Sequence, residues 1–302
     1  MGLIPQIWGD RLFSNPFPTN TFIVRSIDYS AFALADQVHL PNAGSDPSVT
    51  KNRSTLPATS SQRTDSVVSF SMASFSSDPI IVKNADKLQL TYDKLASATD
   101  RTRGKIIKEI SEDILFSWLG GKKVDVVTSG SSVAAHTPSA TGNRLAFCAA
   151  DVASVMVIFD AADIPQEGRC MLIDAHMKKQ LLDDLSEKES QMFLASANLQ
   201  TGIVGNLYGF DIYVRSRVGV ATSAGVAKAW SATGATTDLA AGIAWHEDYV
   251  CRAQGDTKIF VDEDSPAYYA DIISGETFAG GSKVMSDGTG IVRILQTTYS
   301  AS

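Results

Sequence analysis

The chain has 302 residues, of which 44% are hydrophobic and 20% are charged, and its formal net charge is -7. A chain of this length and apolar content buries a sizeable core in one large or two modest domains, which excludes global disorder. The acidic balance disfavours a dedicated nucleic-acid-binding protein, because neutralising phosphates requires a surplus of lysine and arginine.

The three cysteines, Cys148, Cys170 and Cys251, are an odd number without close CxxC spacing. This pattern favours a reducing cytoplasm over a disulfide framework or a cysteine zinc site. The first residues lack a basic segment followed by an apolar run, and no stretch approaches the length of a membrane span. We therefore expect a soluble protein that makes no membrane contact.

Residues 1–26 have the character of an extended arm. The segment is rich in proline, asparagine and aromatic residues, and it shows neither helical nor strand periodicity; its aromatics are Trp8, Phe13, Phe17 and Phe22. Such a segment cannot bury its aromatic side chains by itself. We expect them to pack on the rest of the chain or on a neighbouring subunit.

Residues 27–83 are predicted to form a long hairpin. A short strand at 37–40 and an alternating apolar strand around residues 68–72 flank the polar stretch 42–66. A compact domain seldom keeps so long a loop unless the loop has a role or is disordered. Contact with another molecule and a merely flexible surface loop both remain open as interpretations.

The strongest local signal is a long amphipathic helix over residues 86–119, with Asn84 or Asp86 as its cap and Gly120-Gly121 as its stop. Apolar or small residues recur every three or four positions: Leu88, Tyr92, Leu95, Thr99, Thr102, Ile106, Ile110, Ile114 and Trp118. At 1.5 Å per residue the helix runs roughly 50 Å. We expect it to lie across a sheet as a spine, with a coiled coil as the alternative.

The remaining sequence alternates short helices and strands. We predict a buried helix at 145–160, a turn at 165–168 and a helix capped by Asp174 with apolar positions Met177, Leu181, Leu182 and Leu185. Residues 244–253 resemble a short helix. Predicted strands lie at 169–173, 210–214, 258–261, 268–273, 282–285 and 291–295. The fold class is therefore α+β.

Motifs of catalysis are absent from the sequence, which contains neither a phosphate-binding GxxxxGK[ST] loop nor a GxSxG nucleophile elbow. The histidines do not form HxxxH or HExxH pairs and are expected at the surface or at caps: His39, His136, His176 and His246. Asp174 with His176, and His246 with Glu247 and Asp248, would need a third partner to form an acid–base or metal site. We predict no catalytic, cofactor-binding or metal-binding residues.

Several stretches, taken in order, resemble the Hong Kong 97-like major capsid proteins of tailed double-stranded DNA phages. The start IPQIW at residues 4–8 is similar to many capsid arms, and DIPQEGRCMLID at 163–174 is similar to the family's turn, strand and capped helix. GIVG at 202–205 followed by GFDIYV at 209–214 resembles the next passage of the axial domain. AWHEDY at 244–249 and the strands at 268–284 resemble the closing elements.

The resemblance implies five segments in chain order. These are an N-terminal arm at 1–26, an extended loop hairpin at 27–83, a peripheral domain with the spine helix at 84–142, an axial domain at 143–255 and returning peripheral strands at 256–302. It also implies assembly as hexamers and pentamers into an icosahedral head around packaged double-stranded DNA. The expected location is the virion, after assembly in the bacterial host cytoplasm.

The same resemblance sets expectations about partners. The hairpin tip at 42–66 would lie over an adjacent subunit, and Trp8 and Phe13 would dock on a neighbour. A portal, a decoration protein and a scaffolding protein are implied partners; the scaffold is expected to be a separate chain, because no coiled-coil region precedes the arm. The lysine and asparagine that cross-link some relatives have no match, so no covalent cross-link is expected.

Three alternatives compete with the capsid interpretation. An α/β enzyme would need a site assembled from dispersed residues such as Asp174, His176 and Glu247. An encapsulin-type nanocompartment shell protein shares the fold and differs in its cargo. A phage tail or decoration protein ranks lower, since it would not need a spine helix together with a hairpin and an axial unit.

Overall fold

The computed structural model describes residues 21–32, 37–42, 49–54, 56, 66–83, 94–198 and 200–297. The strands are β1 Ile27–Asp28, β2 Gln37–Asn42, β3 Ser66–Ser71, β4 Ala73–Ser76, β5 Ile80–Lys83, β6 Val124–Val127, β7 Ser132–Ala134, β8 Asn143–Leu145, β9 Arg169–Asp174, β10 Gly205–Leu207, β11 Phe210–Arg215, β12 Gly219–Ala221, β13 Ala227–Lys228, β14 Leu239–His246, β15 Val250–Ser265, β16 Ala270–Lys283 and β17 Ile291–Leu295. The helices are α1 Lys94–Gly120, α2 Ala149–Ala161, α3 Ala175–Asp184 and α4 Glu187–Ala195. Short 3-10 turns lie at Phe22–Val24, Ser30–Phe32 and Glu247–Tyr249.

The predicted spine helix is confirmed as α1, which has 27 residues and a length of about 40 Å. It ends where predicted, at Gly120, while the predicted start and its caps at Asn84 and Asp86 lie outside the described residues. The predicted apolar face is buried along the second half of the helix: Ile106, Ile110, Ile114 and Trp118. Leu115 and Leu119 widen this face, so the helix covers a broad apolar surface.

The larger sheet has eight strands in the order β10-β11-β9-β14-β12-β13, and β17 pairs with both β14 and β6. β9 runs parallel to β11 and antiparallel to β14. Every residue of β9, β14 and β17 is buried, because the spine helix covers one face and α2, α3 and α4 cover the other. Burial on both faces explains why these strands are continuous apolar runs without alternation.

The smaller sheet has the order β1-β15-β16-β4, with β5 also paired to β16. β15 and β16 form a long antiparallel hairpin that turns at residues 266–269. The pairing of the strands predicted at 37–40 and 68–72 is confirmed as the antiparallel hairpin of β2 and β3, whereas β1, β4 and β5 of the same predicted segment belong to the smaller sheet. The base of the β2–β3 hairpin packs on the smaller sheet through Val38, Leu40 and Met72. Most of the polar tip at 42–66 lies outside the described residues.

The helix predicted at 244–253 is wrong. The end of β14, the 3-10 turn and the start of β15 occupy these residues, because both ends of the segment pair with distant strands: Trp245 with Ile291 and Cys251 with Ser282. The helix predicted from Leu145 begins at Ala149 instead, since the Asp151 carboxylate accepts a hydrogen bond from the Cys148 backbone N–H (2.9 Å) and caps it there. The Asp174 cap is confirmed: its Oδ1 accepts from Met177 N (2.7 Å).

The predicted boundaries of the five segments stay a prediction. The sheets connect distant parts of the chain, since β6, β9 and β17 belong to one sheet although they are far apart in sequence. In the described part of the chain, no helix is both long and apolar enough to cross a membrane.

Candidate assembly surfaces

The dispersed acid–base candidates do not converge. Asp174 ends β9, whereas Glu247 lies beside its start, where the Glu247 N–H donates to Gly168 O (3.1 Å). Six residues of extended strand separate these two positions, which corresponds to roughly 20 Å. The site on which the enzyme alternative depends is therefore not assembled from Asp174, His176 and Glu247.

Asp174 instead contacts His136, and His176 stacks on that histidine. His136 Nε2 lies 2.7 Å from Asp174 Oδ2, and the rings of His136 and His176 stack with centroids 4.6 Å apart. His136 comes from the loop after β7, 38 positions before Asp174, and no local sequence signal links it to the aspartate. Because Asp174 Oδ1 already caps α3, the cluster ties this loop to the junction between the end of β9 and the start of that helix.

The second candidate group has a structural role. His246 is buried, and its Nδ1 accepts a hydrogen bond from Asp248 N (3.2 Å), so it caps the 3-10 turn as expected for a capping histidine. Asp248 itself is mostly exposed. Among the described residues, no three histidine, cysteine, aspartate or glutamate side chains are placed to hold a metal ion.

The three cysteines are free and buried. Burial raises the pKa of the Cys251 thiol to about 12 and raises the pKa of Cys170 as well. A thiol that stays protonated at neutral pH is a poor nucleophile, and both side chains are therefore small buried packing groups in this fold.

Phe22 anchors the end of the predicted N-terminal arm. Its ring packs edge-on against Trp118 of the spine helix and Trp245 of β14, with both centroid distances 6.1 Å. The two tryptophans also contact each other, and Trp245 Nε1 donates to the Arg25 carbonyl (2.8 Å). A single aromatic cluster therefore joins the N-terminal segment, the spine and the larger sheet.

Arg252 fixes the backbone of the same segment. Its guanidinium donates to the carbonyls of Ile23 (2.9 Å), Val24 (3.2 Å) and Ser26 (2.9 Å). Arg25 points the other way and donates to the Tyr213 hydroxyl (3.1 Å). These hydrogen bonds therefore fix the position of residues 23–26 on the fold. Sequence reasoning missed both arginines, since their partners are about 190 to 230 positions away.

The far end of the β15–β16 hairpin presents apolar side chains to solvent. Phe260, Tyr268 and Tyr269 are exposed, and Ile81 of neighbouring β5 is exposed beside them. Tyr269 has a φ of 49°, a left-handed backbone conformation that is uncommon for a bulky residue. Clustered exposed aromatics of this kind mark contact sites more often than isolated surface residues do.

An apolar cleft of about 260 Å³ lies between α2 and β17, lined by Phe159, Ile164 and Ile291 among others. Its one charged group, Lys123, is paired with Asp287. The described lining of this cleft therefore offers no unpaired charged group.

No family model matches the sequence, and no curated protein matches it either. Solved structures do match. A chain from Mycobacterium phage Che8 superposes with a TM-score of 0.59 at 18% identity and covers 91% of this chain and 90% of its own length. The capsid of Ralstonia phage GP4 gives a TM-score of 0.62 at 10% identity, covering 96% and 92% respectively.

The virus-like particle from Pyrococcus furiosus is also similar, with a TM-score of 0.56 at 9% identity and coverage of 97% of this chain and 100% of that one. Each of these likenesses spans more than nine-tenths of the chain. The chain has the Hong Kong 97-like fold predicted from its sequence.

Proposed function

We propose that this chain is the major capsid protein of a tailed bacteriophage, which assembles as hexamers and pentamers into an icosahedral head around packaged double-stranded DNA. The observation that carries the proposal is the fold shared with phage capsid chains over at least nine-tenths of this sequence. The function is geometric: the chain supplies shape and contact surfaces, and we propose no enzymatic activity.

The arrangement of the described residues supports this role. A shell subunit needs a body that is rigid without its neighbours and extensions that reach them. The doubly covered larger sheet provides the body. The β2–β3 hairpin, the β15–β16 hairpin and the segment anchored by Phe22 extend from it.

The partners implied by the proposal are other copies of the chain, a portal, a separate scaffolding protein and a decoration protein. Packaged DNA would lie close to the shell without specific contacts. The net charge of -7 suits this, because a shell that admits DNA should not bind phosphates tightly across its inner face. The protein would then reside in the virion after assembly in the host cytoplasm.

The similarity to the Pyrococcus furiosus virus-like particle favours one second candidate, an encapsulin-type nanocompartment shell. The two kinds of shell differ in what they enclose. Particles purified from the native source should contain nuclease-protected double-stranded DNA if the chain is a phage capsid protein, and an enclosed protein cargo if it is a compartment shell.

Assembly itself is tested by expressing the full chain, alone and with the scaffolding protein encoded beside it, and measuring particle mass by light scattering together with negative-stain electron microscopy. Closed shells or ring-shaped capsomers are expected. A chain that remains monomeric under both conditions contradicts the proposal.

A further inference from the structure

The outer edge of β15 is open along half of its length. Within the described residues, the strand pairs on that side only with β1, at Cys251 and Arg252. Residues 256–262 continue past this contact with mostly exposed side chains, among them Ile259 at 37% and Phe260 at 53%. An exposed strand edge with apolar residues is a template for pairing with another strand.

The hydrogen bonds that β16 makes on its other side show which backbone groups of β15 point to the open edge. The C=O of Gly275 in β16 accepts from Ser77 N (2.9 Å), and the Gly275 N–H donates to Ser77 Oγ (3.0 Å). Both groups thus point away from β15. Ile259 is the residue opposite Gly275, so this is a non-hydrogen-bonded pair and the Ile259 N–H and C=O point to the open edge.

Backbone N–H and C=O groups alternate in direction along a strand, so the direction found for Ile259 fixes that of its neighbours. Thr257, Ile259 and Val261 direct their backbone groups outward, while Lys258, Phe260 and Asp262 direct theirs toward β16. A partner strand can bond only to the first set. If the partner is a second copy of β15 running antiparallel, outward residues must oppose outward residues, which halves the possible registers.

Charge then selects one register. Centring the pair on Phe260 places Lys258 of each copy opposite Asp262 of the other, and Ile259 opposite Val261. Asp256 then faces Asp264, but both lie where the β15–β16 ladder is irregular, outside the paired residues 258–262. Centring it on Ile259 places Asp256 opposite Asp262, and centring it on Lys258 places that lysine opposite itself. Centring it beyond Phe260 extends the pairing past Asp262, where the β15–β16 ladder becomes irregular.

We propose that two copies of this chain join edge to edge through β15, antiparallel about a twofold axis at Phe260. Ile259 and Val261 exchange backbone hydrogen bonds across the axis, the two Phe260 rings face each other, and two Lys258–Asp262 pairs flank them. The inference rests on the proposed shell function and deepens it by naming one contact between subunits. Charges at strand edges commonly prevent pairing, but here the two signs complement each other in the selected register.

The direct test is a cysteine at the axis. In a non-hydrogen-bonded antiparallel pair, the facing Cα atoms are about 4.5 Å apart, within the span of a disulfide. We expect Phe260→Cys to form a reducible covalent dimer in oxidised shells on non-reducing gels. Ile259→Cys is the matched control: its two copies sit diagonally, about 7–8 Å apart, and should cross-link weakly. The native cysteines are buried, so the parent chain should give little background.

Charge reversal tests the register. Added to Phe260→Cys, Asp262→Lys places two lysines opposite each other and should lower the dimer yield several-fold, whereas Lys258→Asp with Asp262→Lys should restore it. Shells that form without a Phe260→Cys dimer above the Ile259→Cys level overturn this contact and leave the shell function standing. A monomeric parent chain without any cross-link in the Phe260→Cys variant overturns both.

Discussion

β14 and β15 follow one another in the chain and are both rich in apolar residues, yet they have opposite surroundings. All eight residues of β14 are buried, whereas residues 256–260 of β15 are exposed. β14 lies in the middle of the larger sheet between two layers of helices. β15 leaves that core after Ala253 and forms one arm of a projecting hairpin.

The difference separates two uses of apolar surface. Burial of β14 is completed by the chain itself and contributes to the stability of the single subunit. Within the described residues the outer half of β15 remains exposed, and we expect another molecule to bury it. Substitutions in the first region should therefore change the free energy of unfolding, and substitutions in the second should change assembly while the subunit stays folded.

The largest expected effect is on the aromatic cluster of the body. Trp118→Ala removes a fully buried side chain that contacts Phe22 and Trp245 and donates to the Cys251 carbonyl (3.2 Å). We expect a loss of about 4 kcal/mol in the free energy of unfolding, measured by chemical denaturation of the unassembled chain. Met192→Ala, at an exposed helical position, should change it by less than about 0.5 kcal/mol.

Breaking one buried ion pair should have the next largest effect. Arg293 is buried, and its guanidinium donates to both carboxylate oxygens of Asp125 (2.8 and 3.0 Å). Asp125→Asn should cost about 3 kcal/mol, because a buried charge loses its partner. Asp183→Asn, which breaks an exposed pair with Lys179, is the control and should be nearly neutral.

The same pair predicts a dependence on pH. Burial of Asp125 opposes its ionisation, but hydrogen bonds from Arg293 and Lys122 prevail and hold its pKa below the ordinary value of 3.8. The stabilisation is therefore complete above that value and is lost as pH falls through the folded-state pKa. The difference in stability between the parent and Asp125→Asn should narrow in acid; a constant difference down to pH about 2 contradicts this.

A smaller effect is expected at the start of α3. Asp174→Ala removes the helix cap and the partner of His136, and it should lower the free energy of unfolding by about 1 to 2 kcal/mol. Asp174→Asn retains a capping oxygen and should recover most of this loss. Equal destabilisation by both variants would show that the negative charge, and not the cap, is what matters.

The smallest effect on the single subunit is expected in β15. Phe260→Ala should change the free energy of unfolding by less than about 0.5 kcal/mol, since the ring is half exposed. It should nevertheless reduce the yield of closed shells in electron micrographs. A large loss of subunit stability would remove the contrast between β14 and β15.

Sequence patterns predicted the parts of the fold whose signals are local. The spine helix had a clear helical period, Asp174 had the position of a cap, and the β2–β3 hairpin had alternating apolar residues. The helix predicted at 244–253 was wrong because these residues join the end of β14 to the start of β15 through a 3-10 turn, and both strand ends are fixed by partners distant in sequence. The full length of β15 was missed for another reason: charged residues interrupt its exposed half.

The contacts that fix the N-terminal segment were beyond sequence reasoning. Phe22 was recognised as an aromatic that needs a partner, but Trp118 and Trp245 lie about 100 and 220 positions away. Arg252 and Arg25 have no motif around them, and only the folded chain brings their acceptors together. The separation of Asp174 from Glu247 along β9 likewise follows from pairings that no local sequence pattern indicates.

The central claim is that this chain is a shell subunit, and electron cryomicroscopy of the particles formed by the full chain tests it most directly. We predict closed icosahedral shells built of hexamers and pentamers, in which the larger sheet of each subunit is unchanged and the β15 hairpins lie against neighbouring copies. Monodisperse single subunits, with or without the scaffolding protein, would contradict the claim.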